Sequence, residues 1–250
     1  RLHLVRPGDD LGRDLAEIAR RADAGTVSDL PVDQPRPGVV LVHGLWFGPW
    51  SLALLARRLR RTGFEPRSFR YRTTAAGLDE HARALRQFVG PAAQAPLHFV
   101  AHSLGGLVTL KMLGEFPDLP GGRVVLLGSP LQGSVVARKS SRLPGGRRLL
   151  GAARPVLEAG FAALAAEREI GMVAGSRALG LGLLLGGTRG SGDGTVAVAE
   201  TRAEGFADHR VLPVTHTGML FSRSVARSVC HFLQNGRFDL LSPANGSVIN

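Results

Sequence analysis

The chain predicts an α/β architecture, a mostly parallel central sheet flanked by helices, and three observations carry that expectation. Short, continuously apolar runs recur along the 250 residues, and each stops abruptly at small or polar residues. Stretches with apolar residues three and four apart, the spacing of a one-sided helix, lie between them. The resulting order of strand, helix, strand, helix favours parallel pairing, because parallel neighbours need a crossover and a helix is the compact way to make one.

Residues 1–37 are polar, with a short helical pattern over 9–24, and end in a stretch containing Pro31, Pro35 and Pro37 that must be extended. They read as a lead-in to a single domain over 38–250. Val39, Val40, Leu41 and Val42 form the first run, which suits a strand buried on both faces and stops at His43 and Gly44. A weaker strand lies over 64–71. The run at 97–101 ends at His102 and Ser103, the run at 124–127 ends at Gly128, Ser129 and Pro130, and that at 170–174 ends at Gly175. A last weak strand covers 210–214. Helical spacing marks 50–61, 78–89, 104–116 and 219–233. Residues 131–167, rich in Gly, Arg, Ala and Leu, fit the alternation poorly, and no internal repeat is visible.

Composition excludes several classes. Cys230 is the single cysteine, so no internal disulfide forms, and no Cys and His cluster has zinc-ligand spacing. No metal or other cofactor is expected. The net charge of +11 suggests a polyanion partner, yet of 31 basic residues only Lys111 and Lys139 are lysines and the arginines are spread along the chain. Compositional bias explains that more simply, and no nucleic-acid partner is expected. One stretch stands apart. Arg138, Lys139, Arg142, Arg147, Arg148 and Arg154 fall between Ser134 and Leu157 with no acid among them, which suits an anionic lipid surface or an acidic substrate, although a solvated loop is the plainer reading. The most apolar run, 179–185, is far shorter than the roughly 20 residues of a helical membrane span. The absence of a signal-like apolar stretch favours the cytoplasm, while a first residue that is Arg rather than Met leaves export open.

In an open parallel sheet, ligands gather beyond the carboxyl ends of the strands, so the chemistry is sought there. Phe99-Val100-Ala101-His102-Ser103-Leu104-Gly105-Gly106 matches the nucleophile-elbow pattern G-x-S-x-G, with Ala101 in place of the first glycine. Alone, such a match arises by chance about 0.5 times in a chain of this composition. Its position at the direct junction of strand and helix gives it weight: small neighbours permit the tight turn that lifts the Ser103 hydroxyl above the sheet, and the following helix aims its first amides at an anion formed there. A serine hydroxyl also needs a base and an acid to orient that base. Of eight histidines, His216 follows the last strand and precedes the final helix, at the same sheet edge. His102 reads as a packing or hydrogen-bonding residue, and His43, His98, His209 and His231 fit strand or helix positions. Asp193, in the glycine-rich loop 190–196, is the candidate acid, with Asp208 and Glu200 as rivals and a flexible turn as the plainer explanation of the loop. The backbone amides of Leu104, directly after the serine, and of Leu45, after the turn at His43 and Gly44, are candidate donors to an oxyanion. Trp46 and Phe47 beside that turn are candidate substrate contacts, though large apolar residues near a strand end are more often core.

These pieces resemble the α/β-hydrolase superfamily, and within it the bacterial lipases and esterases with a single-glycine oxyanion loop. The resemblance spans residues 38 to about 235 and rests on the segments around His43-Gly44-Leu45, Ala101-His102-Ser103-Leu104-Gly105-Gly106, Gly128-Ser129-Pro130, Gly192-Asp193-Gly194 and Thr215-His216. The order Ser, Asp, His is that of this superfamily. It implies that Ser103 attacks an ester carbonyl, that His216 shuttles the proton, that Asp193 orients His216, and that water releases the acyl-enzyme. The implied partner is a small-molecule ester or lipid, with peripheral contact at a lipid interface. A thioesterase or acyltransferase would use the same triad, and a non-catalytic binding scaffold is the alternative from another class. Residues 131–167 lie where the family often inserts a lid. Val156, Leu157, Phe161 and Leu164 have the spacing of an amphipathic helix, which would either cover an apolar acyl pocket or pack as part of the core.

Overall fold

The computed structural model describes residues 36–90, 96–161, 168–179 and 190–238. The helical pattern over 9–24, Leu164 and the greater part of the run 179–185 lie outside the described residues.

Strands β1 (Gly38–Val42), β2 (Glu65–Phe69), β3 (Leu97–His102), β4 (Val124–Leu127), β5 (Ile170–Gly175) and β6 (Asp208–Leu212) form one sheet in the order 2-1-3-4-5-6. Every neighbouring pair is parallel. Strands β3, β4 and β5 are buried along their whole length, which is why they read as unbroken apolar runs. The edge strands carry exposed positions, and β2 tolerates Pro66 because an edge needs fewer ladder donors. Alternate residues of the strands feed two cores. Val39, Leu41, Val100, Val125 and Leu127 face helices α1 (Ala53–Arg61) and, near the end of the chain, Arg223–Asn235. Val40, Val42, Phe99, Ala101, Val124 and Leu126 face α2 (Leu78–Val89) and α3 (Leu104–Glu115).

Helix boundaries follow local chemistry. In α2 the Glu80 carboxylate accepts from the Gly77 amide at 3.3 Å, Asp79 and Glu80 sit in the positive first turn, and Gly90 ends the helix with φ of 78°. Helix α3 is apolar on nearly all sides and accordingly buried, with Gly105 and Gly106 pressed against the ends of β1 and β4. Two expected helices are shorter than their spacing suggests. The first is preceded by a 3₁₀ turn, Pro49–Leu52. The last is broken into a 3₁₀ turn, Gly218–Leu220, and a helix that begins at Arg223, where the Ser222 hydroxyl accepts from the Val225 amide. The strand expected over 210–214 lies two residues earlier, because Pro213 has no N–H to continue the ladder.

Between β4 and β5 the described part of the poorly alternating stretch folds as three short helices, α4 (Val135–Ser140), α5 (Gly146–Leu150) and α6 (Arg154–Ala159), so that Arg223–Asn235, the last helix among the described residues, is α7. The amphipathic spacing read through 156–164 does not make one helix. Helix α6 stops at Gly160, φ 86°, and the Phe161 amide turns back to the Leu131 carbonyl at 2.9 Å. Ala137, Leu150, Ala153 and Leu157 from this segment join the core layer of α2 and α3.

Burial holds several histidines neutral. His98 in β3 accepts the Arg123 amide at 2.9 Å, and burial together with the Arg123 and Arg168 guanidinium groups brings its pKa down to about 4. His43, His81, His102 and His209 are also lowered, each chiefly by burial. An unfolded histidine takes up a proton near pH 6.5 that these folded ones refuse, so their contribution is complete above that pH and is lost as pH falls from 6.5 towards 4. The urea midpoint should drop across that window, and His98→Gln should flatten the slope. A midpoint that stays constant from neutrality to pH 5 would contradict this account.

Candidate active site

The turn from β3 into α3 bends sharply at one residue. Ser103 has φ of 53° and ψ of −122°, and among the described residues only Trp46 shares a positive φ without being glycine. Such dihedrals strain an L-residue by roughly 1–3 kcal/mol and persist only where the surroundings enforce them. Here the Ser103 amide is held by the Leu127 carbonyl of β4 at 2.9 Å, and the Gly106 amide returns to the Ser103 carbonyl at 3.0 Å. A serine at a helix start normally caps it, yet the Ser103 side chain makes no capping bond. Its hydroxyl is left for the cavity that the residue lines.

His216 and Asp193 arrive from two loops at the carboxyl edge of β5 and β6. The imidazole Nδ1 lies 2.7 Å from Asp193 Oδ2, and the His216 amide donates to the Asp193 carbonyl oxygen at 2.9 Å. The other carboxylate oxygen accepts from the amides of Thr195 and Val196 at 2.9 and 2.8 Å. At 1% exposure the carboxylate depends on those donors, since a buried charge without partners would be very costly. With Nδ1 donating to Asp193, Nε2 of the neutral ring is the acceptor, and His216 lines the same cavity as Ser103. The rival acids are engaged elsewhere. Glu200 accepts the amides of Val135 and Ala197 at 2.6 and 2.8 Å, and Asp208 accepts the Phe238 amide at 2.8 Å.

On the far side of the serine, Gly44 to Phe47 closes a tight turn, with the Phe47 amide on the Gly44 carbonyl at 3.2 Å. Trp46, φ 61°, sits at the position of that turn that favours a left-handed residue, and its amide donates to Thr73 Oγ1 at 3.1 Å. A Cβ at Gly44 would stand 3.0 Å from Ser103 Cβ and 2.7 Å from His102 Nδ1, so the turn fits against the serine only with glycine there. Leu45, Trp46 and Phe47 all line the cavity, while the Leu104 side chain is buried in the core and only its backbone belongs to the site. The cavity holds about 400 Å³. Pro130, Val136, Leu150, Leu157 and Val196 make its wall largely apolar, and Val136, Ala137, Ser140, Leu150 and Leu157 come from the segment between β4 and β5.

Sequence reasoning missed two supports, Gly128 and Thr73, and read a third, His102, as a packing or hydrogen-bonding residue without naming its partner. Gly128, φ 57°, ends β4 under the histidine, where a Cβ would meet Asp193 Oδ2 at 3.0 Å and His216 Nδ1 at 3.2 Å. A glycine closing an apolar run was the available signal. His102 is buried at the end of β3 with Nε2 3.1 Å from the His216 carbonyl oxygen, the two rings 4.6 Å apart. Burial, then the nearby His216, hold the His102 pKa well below the usual range, so it donates through Nε2 as a neutral ring. Thr73, from the loop after β2, had no motif to mark it.

A family model described as "Alpha/beta hydrolase family" matches residues 39–233. No curated protein matches the chain. Among solved structures, the mature form of the Bacillus licheniformis lipase BlEst2 superposes with a TM-score of 0.67 at 19% identity, covering 83% of this chain and 96% of that one. The metagenomic carboxyl esterase MGS0156 gives 0.54 at 20% identity over 74% of this chain and 66% of that one. The type II thioesterase BorB from the borrelidin biosynthetic cluster gives 0.58 at 13% identity over 82% and 94%. Identities this low establish a shared fold.

The crowding at Gly128 makes a specific expectation. Gly128→Ala should push the His216 and Asp193 side chains apart, shifting or abolishing the downfield imidazole N–H resonance that a 2.7 Å contact produces in proton NMR. Gly63→Ala is the control, because Gly63 also has a positive φ but a Cβ there meets nothing within 4 Å. An unaltered resonance in Gly128→Ala would refute the steric argument.

Proposed function

The chain belongs to the alpha/beta hydrolase family, and we propose that within it this protein is a serine carboxylic-ester hydrolase, lipase- or esterase-like. Ser103 is the nucleophile, His216 the base and Asp193 the acid that orients it. The observation that carries the reading is the convergence of a strained, uncapped serine and a histidine with Nδ1 already held by a buried carboxylate on one apolar cavity.

The chemistry follows from those roles. The Ser103 hydroxyl gives its proton to His216 Nε2 as its oxygen adds to the ester carbonyl carbon. Negative charge moves to the carbonyl oxygen, where the backbone amides of Leu45 and Leu104 are its donors, each worth about 10²–10³ in rate. Collapse of the intermediate breaks the ester C–O bond, and His216 returns the proton to the departing alcohol. Water, deprotonated by His216, then adds to the acyl-enzyme and frees the acid and the serine. Asp193 holds Nδ1 throughout and favours the imidazolium formed at each addition. The reaction so written needs no cofactor. The apolar wall, to which Trp46 and Phe47 contribute, favours an acyl group with hydrocarbon character.

A panel of p-nitrophenyl esters from acetate to palmitate, with matched thioesters, tests the reaction and its acyl preference. Ser103→Ala and His216→Ala should lower turnover by roughly 10⁴–10⁶, and Asp193→Asn by a smaller but still large factor. A fluorophosphonate should label the wild type and spare Ser103→Ala. Near wild-type activity in Asp193→Asn would remove Asp193 from its assigned role, and a protein inert to both ester and fluorophosphonate would defeat the reading.

A further inference from the structure

Large apolar side chains that remain about half exposed or more are few among the described residues, and they are not scattered. They are Trp46, Trp50, Leu143, Leu149, Leu179, Val211 and Phe221. Apart from Val211 in β6 and Phe221, whose carbonyl is held by Arg58 of α1, they gather about the cavity. Trp46 and Leu179 line it directly. Trp50 stacks edge-on against Phe47 at 5.9 Å, and the Leu143 amide returns to the carbonyl of the cavity residue Ser140 at 3.1 Å. Leu149 is tied in by its carbonyl, which accepts the Trp46 indole N–H at 3.1 Å. Trp50 and Leu179 are 67% and 69% exposed, a state that water disfavours.

The charges interleaved with these side chains have one sign. Arg142, Arg147 and Arg148 alternate with Leu143 and Leu149 at the tip of the segment between β4 and β5, and Arg177 precedes Leu179. All four are exposed, and none has an ion-pair partner among the described residues. Protruding leucines and tryptophans set among unpaired arginines match a surface that offers hydrocarbon beneath a layer of negative charge. Tryptophan favours that boundary, with its ring in the apolar zone and its N–H at the polar edge. No helix among the described residues is long and apolar enough to cross a membrane.

We propose that the rim formed by Trp46, Trp50, Leu143, Leu149 and Leu179, with Arg142, Arg147, Arg148 and Arg177, is a docking surface for an anionic lipid bilayer. The cavity mouth then faces the lipid. The inference is independent of the proposed reaction, because adsorption requires no turnover, and the test uses Ser103→Ala so that lipid hydrolysis plays no part.

The two tryptophans of the chain, Trp46 and Trp50, both lie on this rim, so intrinsic fluorescence reports the contact directly. Ser103→Ala protein should sediment with vesicles of phosphatidylglycerol and phosphatidylcholine, with a blue-shifted emission, and should bind pure phosphatidylcholine vesicles far more weakly. Added salt should release it. Combining Arg147→Gln with Arg148→Gln should weaken anionic vesicle binding on the order of tenfold or more, as should Leu143→Ser, with unfolding midpoints retained. Three results would overturn the proposal: no vesicle binding, equal binding to neutral and anionic vesicles, or a lipid-free dimer whose tryptophan emission is already blue-shifted. Variants that bind as tightly as their parent while remaining folded would overturn it as well.

Discussion

A carboxylate removed from water must be surrounded by donors, and that single requirement shapes the carboxyl edge of this sheet. Asp193 meets it with two backbone amides and an imidazole, all within 2.9 Å. The loop that carries Asp193 must fold back on itself to supply the amides. β4 must end in a residue without a side chain so that the pair has room. His216 must come from the neighbouring loop with its own backbone bonded to that of Asp193. Replacing any of these partners leaves a buried group unsatisfied, a penalty of about 1–3 kcal/mol for a neutral group and more for a charged one.

The sheet was legible from sequence because its central strands are covered on both faces. Val39 to Val42 and Val124 to Leu127 carry no polar residue to obscure them, and each ends where the chain leaves the core. The edge strand β6 was misplaced by two residues because its composition is mixed and the decisive residue, Pro213, acts by lacking a donor. The broken helix before α7 was missed for a related reason. Apolar spacing continues through Met219 and Leu220, while the Ser222 cap that restarts the helix is a single hydrogen bond.

Of the candidate site, the serine stood out because its motif is local. The acid remained open among Asp193, Asp208 and Glu200, because the choice depends on which carboxylate the fold brings to His216, and that is a long-range property. Glu200 illustrates the difficulty. It is as buried as a functional carboxylate would be, yet its two oxygens hold backbone amides of α4 and of the turn after Asp193. The same holds for the segment between β4 and β5, whose residues both complete a core layer and wall the cavity. Reading it as either lid or packing element divides what the structure combines.

Those Glu200 bonds have a mechanical corollary. The root of the α4–α6 segment is clamped to the loop bearing Asp193 through Glu200, and again where the Ser134 hydroxyl donates to the Thr195 carbonyl oxygen at 3.1 Å. A wholesale swing of the segment would drag the carboxylate away from its imidazole. Movement of the segment is therefore confined to flexing of its distal end, where the Trp46 indole to Leu149 bond is exposed to solvent.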